Sequence, residues 1–335
     1  MSEHAIALAH EPPTEFRLAC PRCRGPLAPV GDSVRCATCA VRFSCEDGIW
    51  RLLPPERELV VRRFVAEYLR IRKGEGWGSA GPDYYLALPF RDLTGRFEEI
   101  WRIRAASFQT LLRRVVVPLE RTRRRSLVVL DLGAGNGWLS HRLSERGHRV
   151  AAVDLCDDRR DGLGARAHFP TRFTAVIADF DRLPLAADQA DLVVFNAALH
   201  YSPDARATLA EAFRVLHPDG VVTIVDTPVY RNHSSGARMI QERQQRFVEE
   251  HGVSGGALGS EGFFSRRRLR EVVAELGAHA RVLHPLRWWP MRGRAVLAAA
   301  RGLRETATFP VIVVRRAVRA SQRPSFTLRR NDGSR

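Results

Sequence analysis

The sequence predicts an α/β protein, a mostly parallel sheet with helices on both faces, with a small cysteine-rich module ahead of it. Three observations predict it. From Ser126 onward, apolar strand-like runs alternate with helical patterns. One run, Val128 to Leu132, breaks into glycines at 133, 135 and 137 and opens a helix at Trp138. Before it, four of the six cysteines fall between Cys20 and Cys39.

At 335 residues the chain has room for a core of around 200 residues and a smaller appendage. No run approaches the ~18 apolar residues of a membrane span, and the first residues lack a signal-peptide pattern, so the expectation is a cytoplasmic enzyme. The formal charge of +16 is almost wholly arginine, since Lys73 is the sole lysine. Two explanations stay open, a phosphate-binding surface or an arginine bias on solvated faces. The arginines are spread along the chain, with short runs such as Arg123 to Arg125 and Arg266 to Arg268.

Residues 1–17 read as a tail. Cys20, Cys23, Cys36 and Cys39 then form two C-x2-C pairs separated by twelve residues. Each pair can present two thiolates from a tight turn, and together they complete a closed tetrahedral Zn²⁺ site that supports folding rather than chemistry. Disulfides are the rival for these cysteines. Between the pairs, residues around Leu27 and Val34 read as a short hairpin. Cys45 reads as a core thiol, and neither it nor Cys156 is assigned to metal.

Residues 55–125 read as a helical linker. Apolar stripes over 56–72 and 98–117 predict helices, and the Gly- and Pro-rich stretch 73–89 between them predicts an irregular loop. Strands are expected at 127–132, 149–154, 172–178, 191–196 and 221–226, with helices at about 138–146, 158–168 and 204–217. A polar helix at 233–251 and a Gly-rich loop follow, within an insert spanning 228–265. A helix at 265–276, a strand at 279–284 and a last strand at 308–314 complete the sheet. The arginine-rich tail 318–335 is expected to be disordered.

The glycine turn lets backbone N–H groups and a helix N-terminus approach a ligand without intervening side chains. A dinucleotide fingerprint would place glycine at 138, where this chain has tryptophan. The pattern is D-x-G-x-G-x-G, and it resembles motif I of the class I S-adenosylmethionine (SAM) dependent methyltransferases. Leu183-Pro184-Leu185, Asp191 to Asn196 and the turn Leu216-His217-Pro218-Asp219-Gly220 resemble later segments of the type 11 members, with Asp219 replacing their first glycine. The cysteine module resembles the zinc ribbons of the small tRNA-methyltransferase activator family, and would occupy 18–54. The methyltransferase resemblance implies a Rossmann-like sheet over 126–317 with an antiparallel last strand, and an early segment that covers the ligand. Trp77, Tyr84, Tyr85 and Phe90 are candidates for that lid, or else anchors of the core.

The resemblance also distributes roles. Asp131, Gly133, Ala134, Gly135 and Gly137 would shape the methionine and ribose side of SAM. Asp154, with Leu155 after it, would hold the ribose; Asp179, beside Phe180, would accept from the adenine amino group. The backbone near Asn196 would take the cofactor's amino group. Any single strand-end aspartate can be a helix cap, but three at successive strand ends point jointly to a ligand. Methyl transfer needs a base only when the acceptor must lose a proton, and His200 on the loop after the fourth strand is the first candidate, or else a wall of the pocket. Tyr201 is a second, with Tyr230 and His233 weaker.

Three functions are compatible with these residues. The first is methylation of a small molecule, the second methylation of RNA using the ribbon and basic surface, and the third a non-enzymatic interaction protein. The intact glycine turn and its aspartates argue against the third.

Overall fold

The protein is described by a computed structural model over residues 16–285 and 304–317. The two tails and the segment 286–303 lie outside the described residues, so the expectation for 318–335 does too. Among the described residues, no helix is long and apolar enough to cross a membrane.

The N-terminal module is four short antiparallel strands: β1 (Leu27–Val30), β2 (Ser33–Cys36), β3 (Arg42–Glu46) and β4 (Ile49–Arg51). A long helix α1 (Pro55–Glu75) follows directly. Its proline at the start, Glu56 and Glu58 in the first turn, Arg72 and Lys73 in the last, and left-handed Gly76 at its end fit a helix and its dipole. Residues 73–89, expected as loop, contain a short helix α2 (Pro82–Ala87) that buries Tyr84 and Tyr85. The second expected helix is α3 (Glu98–Leu111), which runs through a π-helical turn at Leu112–Val116 into α4 (Val117–Arg123).

The main sheet comprises β5 (Val128–Leu132), β6 (Arg149–Asp154), β7 (Thr174–Ile177), β8 (Ala190–Asn196), β9 (Leu216–Val225), β12 (Ala278–Leu283) and β13 (Val311–Arg316). Its order is β7-β6-β5-β8-β9-β13-β12, parallel except for β13, which runs antiparallel to both β9 and β12. Strands β5 and β8 are mostly apolar and, up to Asn196, buried because helices cover both faces, as a central parallel strand requires. Helices α5 (Trp138–Glu145), α6 (Ala205–Val215) and α8 (Arg266–Glu275) supply part of that cover. Asp204 and Ser265 cap the last two, accepting backbone N–H bonds.

Two elements differ from expectation. A helix over 158–168 shrinks to one 3-10 stretch, Leu163–His168. Asp158 accepts from the N–H groups of Arg160 and Asp161 as a helix cap would, but Gly162 is extended, at φ −136° and ψ −171°, and breaks the expected helix there. The strand expected at 221–226 starts earlier, at Leu216, with an irregular register opposite Ala190 and Leu192.

The cysteine module is not a separate bead. Strand β4 pairs in parallel with β7, so the sheet continues through it to eleven strands. Leu52 N–H extends the contact to Ile177 O at 2.8 Å, and Arg24 ties the module to Leu183 O and the Glu211 carboxylate. Cys20, Cys36 and Cys45 pack in one continuous apolar core with Val128, Leu130 and Phe195. The insert after β9 holds β10 (Val229–Tyr230), helix α7 (His233–His251) and β11 (Phe264–Ser265), with β10 and β11 paired in parallel. Helix α7 packs beside α1, bringing the His251 ring against Gly74 and Phe247 toward Gly255.

Candidate functional site

The turn between β5 and α5 is built from left-handed glycines, with φ of 73° at Gly133, 55° at Gly135 and 82° at Gly137. Gly133 is also a close approach, since a Cβ there would collide with the Cβ of Ala198 on the loop after β8. Around Gly135 nothing stands in the way, so its backbone faces open space. The N–H groups of Gly133 and Ala134 donate to Val153 O, pinning the turn to β6. Asp154 completes the attachment: its Oδ2 accepts from Gly135 N–H at 2.8 Å and its Oδ1 from Cys156 N–H at 2.9 Å. Burial raises the Asp154 carboxyl above the usual range, opposed by those two bonds.

Asp131 is fully buried at the base of the turn. Ser140 Oγ donates to its Oδ2 at 2.8 Å, and its Oδ1 has no partner among the described residues. Burial, assisted by the nearby Asp154 charge, pushes its pKa up to about 7. Asp179, just past the end of β7, is met by Arg57 of α1, whose Nε and Nη2 donate to Oδ2 at 3.0 and 2.6 Å. Its Oδ1 has only a 3.4 Å contact from Asp181 N–H, so that oxygen is the one open to a further donor. Phe180 beside it is buried against Phe195.

Beside the turn lies a cavity of about 70 Å³. Gly133 to Asn136, Asn196 and Ala197 form its floor, and Tyr68, Arg72 and Arg104 from α1 and α3 its opposite wall. Asn196 Oδ1 is buried without a partner. Arg72 lies 3.8 Å over the Trp77 ring and pairs with Asp161, with Nη2 to Oδ1 at 2.9 Å. Arg104 lies 4.6 Å over Trp101 and has no hydrogen bond or ion pair among the described residues. The volume suits only the tail of a ligand of nucleoside size, because pockets for such ligands hold several hundred Å³.

His200 follows β8 on a 3-10 turn and is 8% exposed. Its Nδ1 is buried with no partner. Burial first, then the cations Arg243 and Arg104, lower its pKa to about 3. The ring is therefore neutral at pH 7 and a weak proton acceptor. Tyr201 stacks beside it at 4.5 Å and meets Phe64 and Tyr68 of α1 at 6.0 and 6.4 Å.

The lid candidates divide. Tyr85 is fully buried, its hydroxyl 2.6 Å from Ser79 O and 2.8 Å from Arg160 O, and Tyr84 and Trp77 are buried too. Only Phe90 remains exposed, at 54%. The residues that do close the cavity, Tyr68, Arg72 and Arg104, and Arg57 on Asp179, were not among the expected ones. Their only sequence signal is cationic or aromatic side chains on two otherwise ordinary amphipathic helices.

In the N-terminal module the thiols of Cys20, Cys23, Cys36 and Cys39 all lie within 4.8 Å of one another, with closest pairs at 3.4 and 3.6 Å. Four thiolates around Zn²⁺ at ~2.3 Å stand about 3.8 Å apart, so this donor set fits a tetrahedral zinc.

Parts of the chain are similar to known proteins. The malonyl-acyl-carrier-protein O-methyltransferase of Halorhodospira halophila is 32% identical over 164 residues, 47% of this chain and 54% of that protein. The dimethylglycine N-methyltransferase of Parasynechococcus marenigrum is 35% identical over 102 residues, 29% of this chain and 36% of that one. The chain thus spans about half or less of the length of these curated relatives. A chain from the complex between the Haloferax volcanii Trm112 methyltransferase activator and a methyltransferase is 21% identical, with a TM-score of 0.46, over 72% of this chain and 99% of that one. The stretch from β5 to β9, which holds the glycine turn, the three strand-end aspartates and His200, matches the family described as "Methyltransferase domain" over residues 130–224.

Proposed function

We propose that the protein is a SAM-dependent methyltransferase acting on a small-molecule acceptor. The observation that carries this is the glycine turn with its unobstructed Gly135 backbone, held between aspartates at the ends of three adjacent parallel strands. Bound SAM supplies an activated methyl group on a sulfonium. Gly133 to Gly137 and the Asn196 carboxamide receive the methionine half, and Arg104, which makes no hydrogen bond among the described residues, faces its carboxylate. Asp154 holds the turn in shape through Gly135 N–H and presents its carboxylate to the ribose. Asp179 Oδ1, beside Phe180, takes the adenine amino group, with Arg57 fixing the other oxygen. For the full ligand to fit, α1 moves outward from the turn, since Tyr68 and Arg72 now close the cavity.

His200 and Tyr201 line the acceptor side. The low basicity of His200 favours a positioning wall over proton abstraction, so the chain's contribution is orientation and exclusion of water. The proposed Zn²⁺ on Cys20, Cys23, Cys36 and Cys39 is structural: it holds the strands whose last member, β4, covers the edge of β7. Labelled methyl transfer from SAM into a cell extract, fractionated into metabolites and RNA, tests the acceptor class. Label in the metabolite fraction supports the proposal, and label confined to RNA overturns it.

A further inference from the structure

We propose that Arg243 on α7 and the Nδ1 of His200 form a subsite for an oxyanion on the methyl acceptor, so that the acceptor carries a carboxylate or phosphate. The proposal rests on the methyltransferase function and extends it to the substrate.

The argument begins with which arginines are paired. Arg57 is matched by Asp179, Arg72 by Asp161, Arg123 and Arg125 by Asp191, and Arg214 by Glu211. Arg104 and Arg243 have no such partner among the described residues, and the Nε of Arg243 is buried without any acceptor. A buried guanidinium N–H is costly unless an acceptor meets it, and the Arg243 side chain as a whole is half-buried. The Phe247 ring lies 5.9 Å from its Cζ, and Gly262, left-handed at φ 73°, leaves the space that its Nη2 occupies.

Arg243 is tied to the acceptor side of the sheet. The N–H of Gly262 donates to His200 O at 3.1 Å, so the loop that accommodates Arg243 is bonded to the 3-10 turn after β8. His200 supplies the second feature, a buried ring nitrogen with nothing to bond to. As a neutral imidazole, it can carry its proton on Nδ1 and donate to an oxyanion. The charges agree. SAM brings a positive sulfonium, and Arg104 already has the buried Asp226 carboxylate as its main opposing charge. Arg243 is the cation left over, and an anionic acceptor neutralises it next to the methyl group.

The test is calorimetric titration of malonate, and separately inorganic phosphate, into the full chain saturated with S-adenosylhomocysteine at 0.15 M salt. The wild type is expected to bind at least one of the two. Arg243→Gln should weaken that binding at least tenfold, Arg243→Lys should restore part of it, and the exposed ribbon change Arg35→Gln should leave it within twofold. Unchanged S-adenosylhomocysteine affinity shows that each variant is folded. Undiminished anion binding in Arg243→Gln, or no anion binding by the wild type, overturns the subsite alone. A wild type that takes no S-adenosylhomocysteine overturns the methyltransferase function beneath it.

Discussion

Replacing Asp131 by asparagine isolates the electrostatics at the base of the glycine turn. The carboxyl is fully buried, with one oxygen bonded to Ser140 and the other unpartnered, and its pKa rises from 3.8 to about 7 on folding. A carboxyl whose pKa is higher folded than unfolded binds its proton more tightly in the native state. Stability therefore falls as pH climbs from the unfolded value toward the folded one, and is flat above it. A shift of about 3 units is worth about 4 kcal/mol in total, of which about 2.5 kcal/mol is lost between pH 5 and pH 8. The asparagine side chain does not titrate, yet its carbonyl can still accept from Ser140. Urea unfolding of both proteins at pH 5 and pH 8 gives the difference directly, because other buried carboxyls such as Asp181 and Asp226 are common to both. The stability of Asp131→Asn relative to wild type should rise by about 2.5 kcal/mol across that range. A difference constant to about 0.5 kcal/mol would refute the buried, proton-binding Asp131.

Three further outcomes follow from the same structure. Gly133→Ala should destabilise the fold by about 1–3 kcal/mol in urea, because both its φ of 73° and the contact with Ala198 oppose a Cβ; a neutral result would mean that the turn relaxes easily. Cys36→Ser should lower the zinc content from one equivalent per chain and the melting temperature by roughly 5 °C or more, since β1 to β4 extend the sheet through β7; full zinc content, or metal absent from the wild type, would count against the four-cysteine site. The pH–rate profile of methyl transfer should show the same inflections between pH 5 and 8 in wild type and His200→Gln, because the imidazole titrates near 3; an inflection lost in the variant would restore His200 as a base.

Much of the site was legible in local sequence. A continuous apolar strand running into D-x-G-x-G-x-G needs no distant partner to be recognised, and the strand-end positions of Asp154 and Asp179 follow from the βαβ alternation. What was not legible is non-local. That β4 pairs with β7 depends on contacts 126 residues apart at Ile49 and Ala175, and nothing in a short window encodes them. The same holds for Arg57, Tyr68, Arg72 and Arg104, whose meaning comes from where α1 and α3 lie rather than from their own neighbours. The depth of His200 decides its basicity, and burial of a single loop residue leaves no periodic trace. The helix expected over 158–168 failed for a local reason, since Gly162 adopts an extended conformation in its middle.

The central claim is that the glycine turn, clamped by Asp154, is the floor of a SAM site. Calorimetry of S-adenosylhomocysteine with wild type and Asp154→Ala tests it most directly. The wild type should bind one equivalent, and the variant, having lost two backbone bonds to a charged acceptor and the ribose contact, should bind at least tenfold more weakly. No binding by the wild type, or equal binding by both proteins, would contradict it.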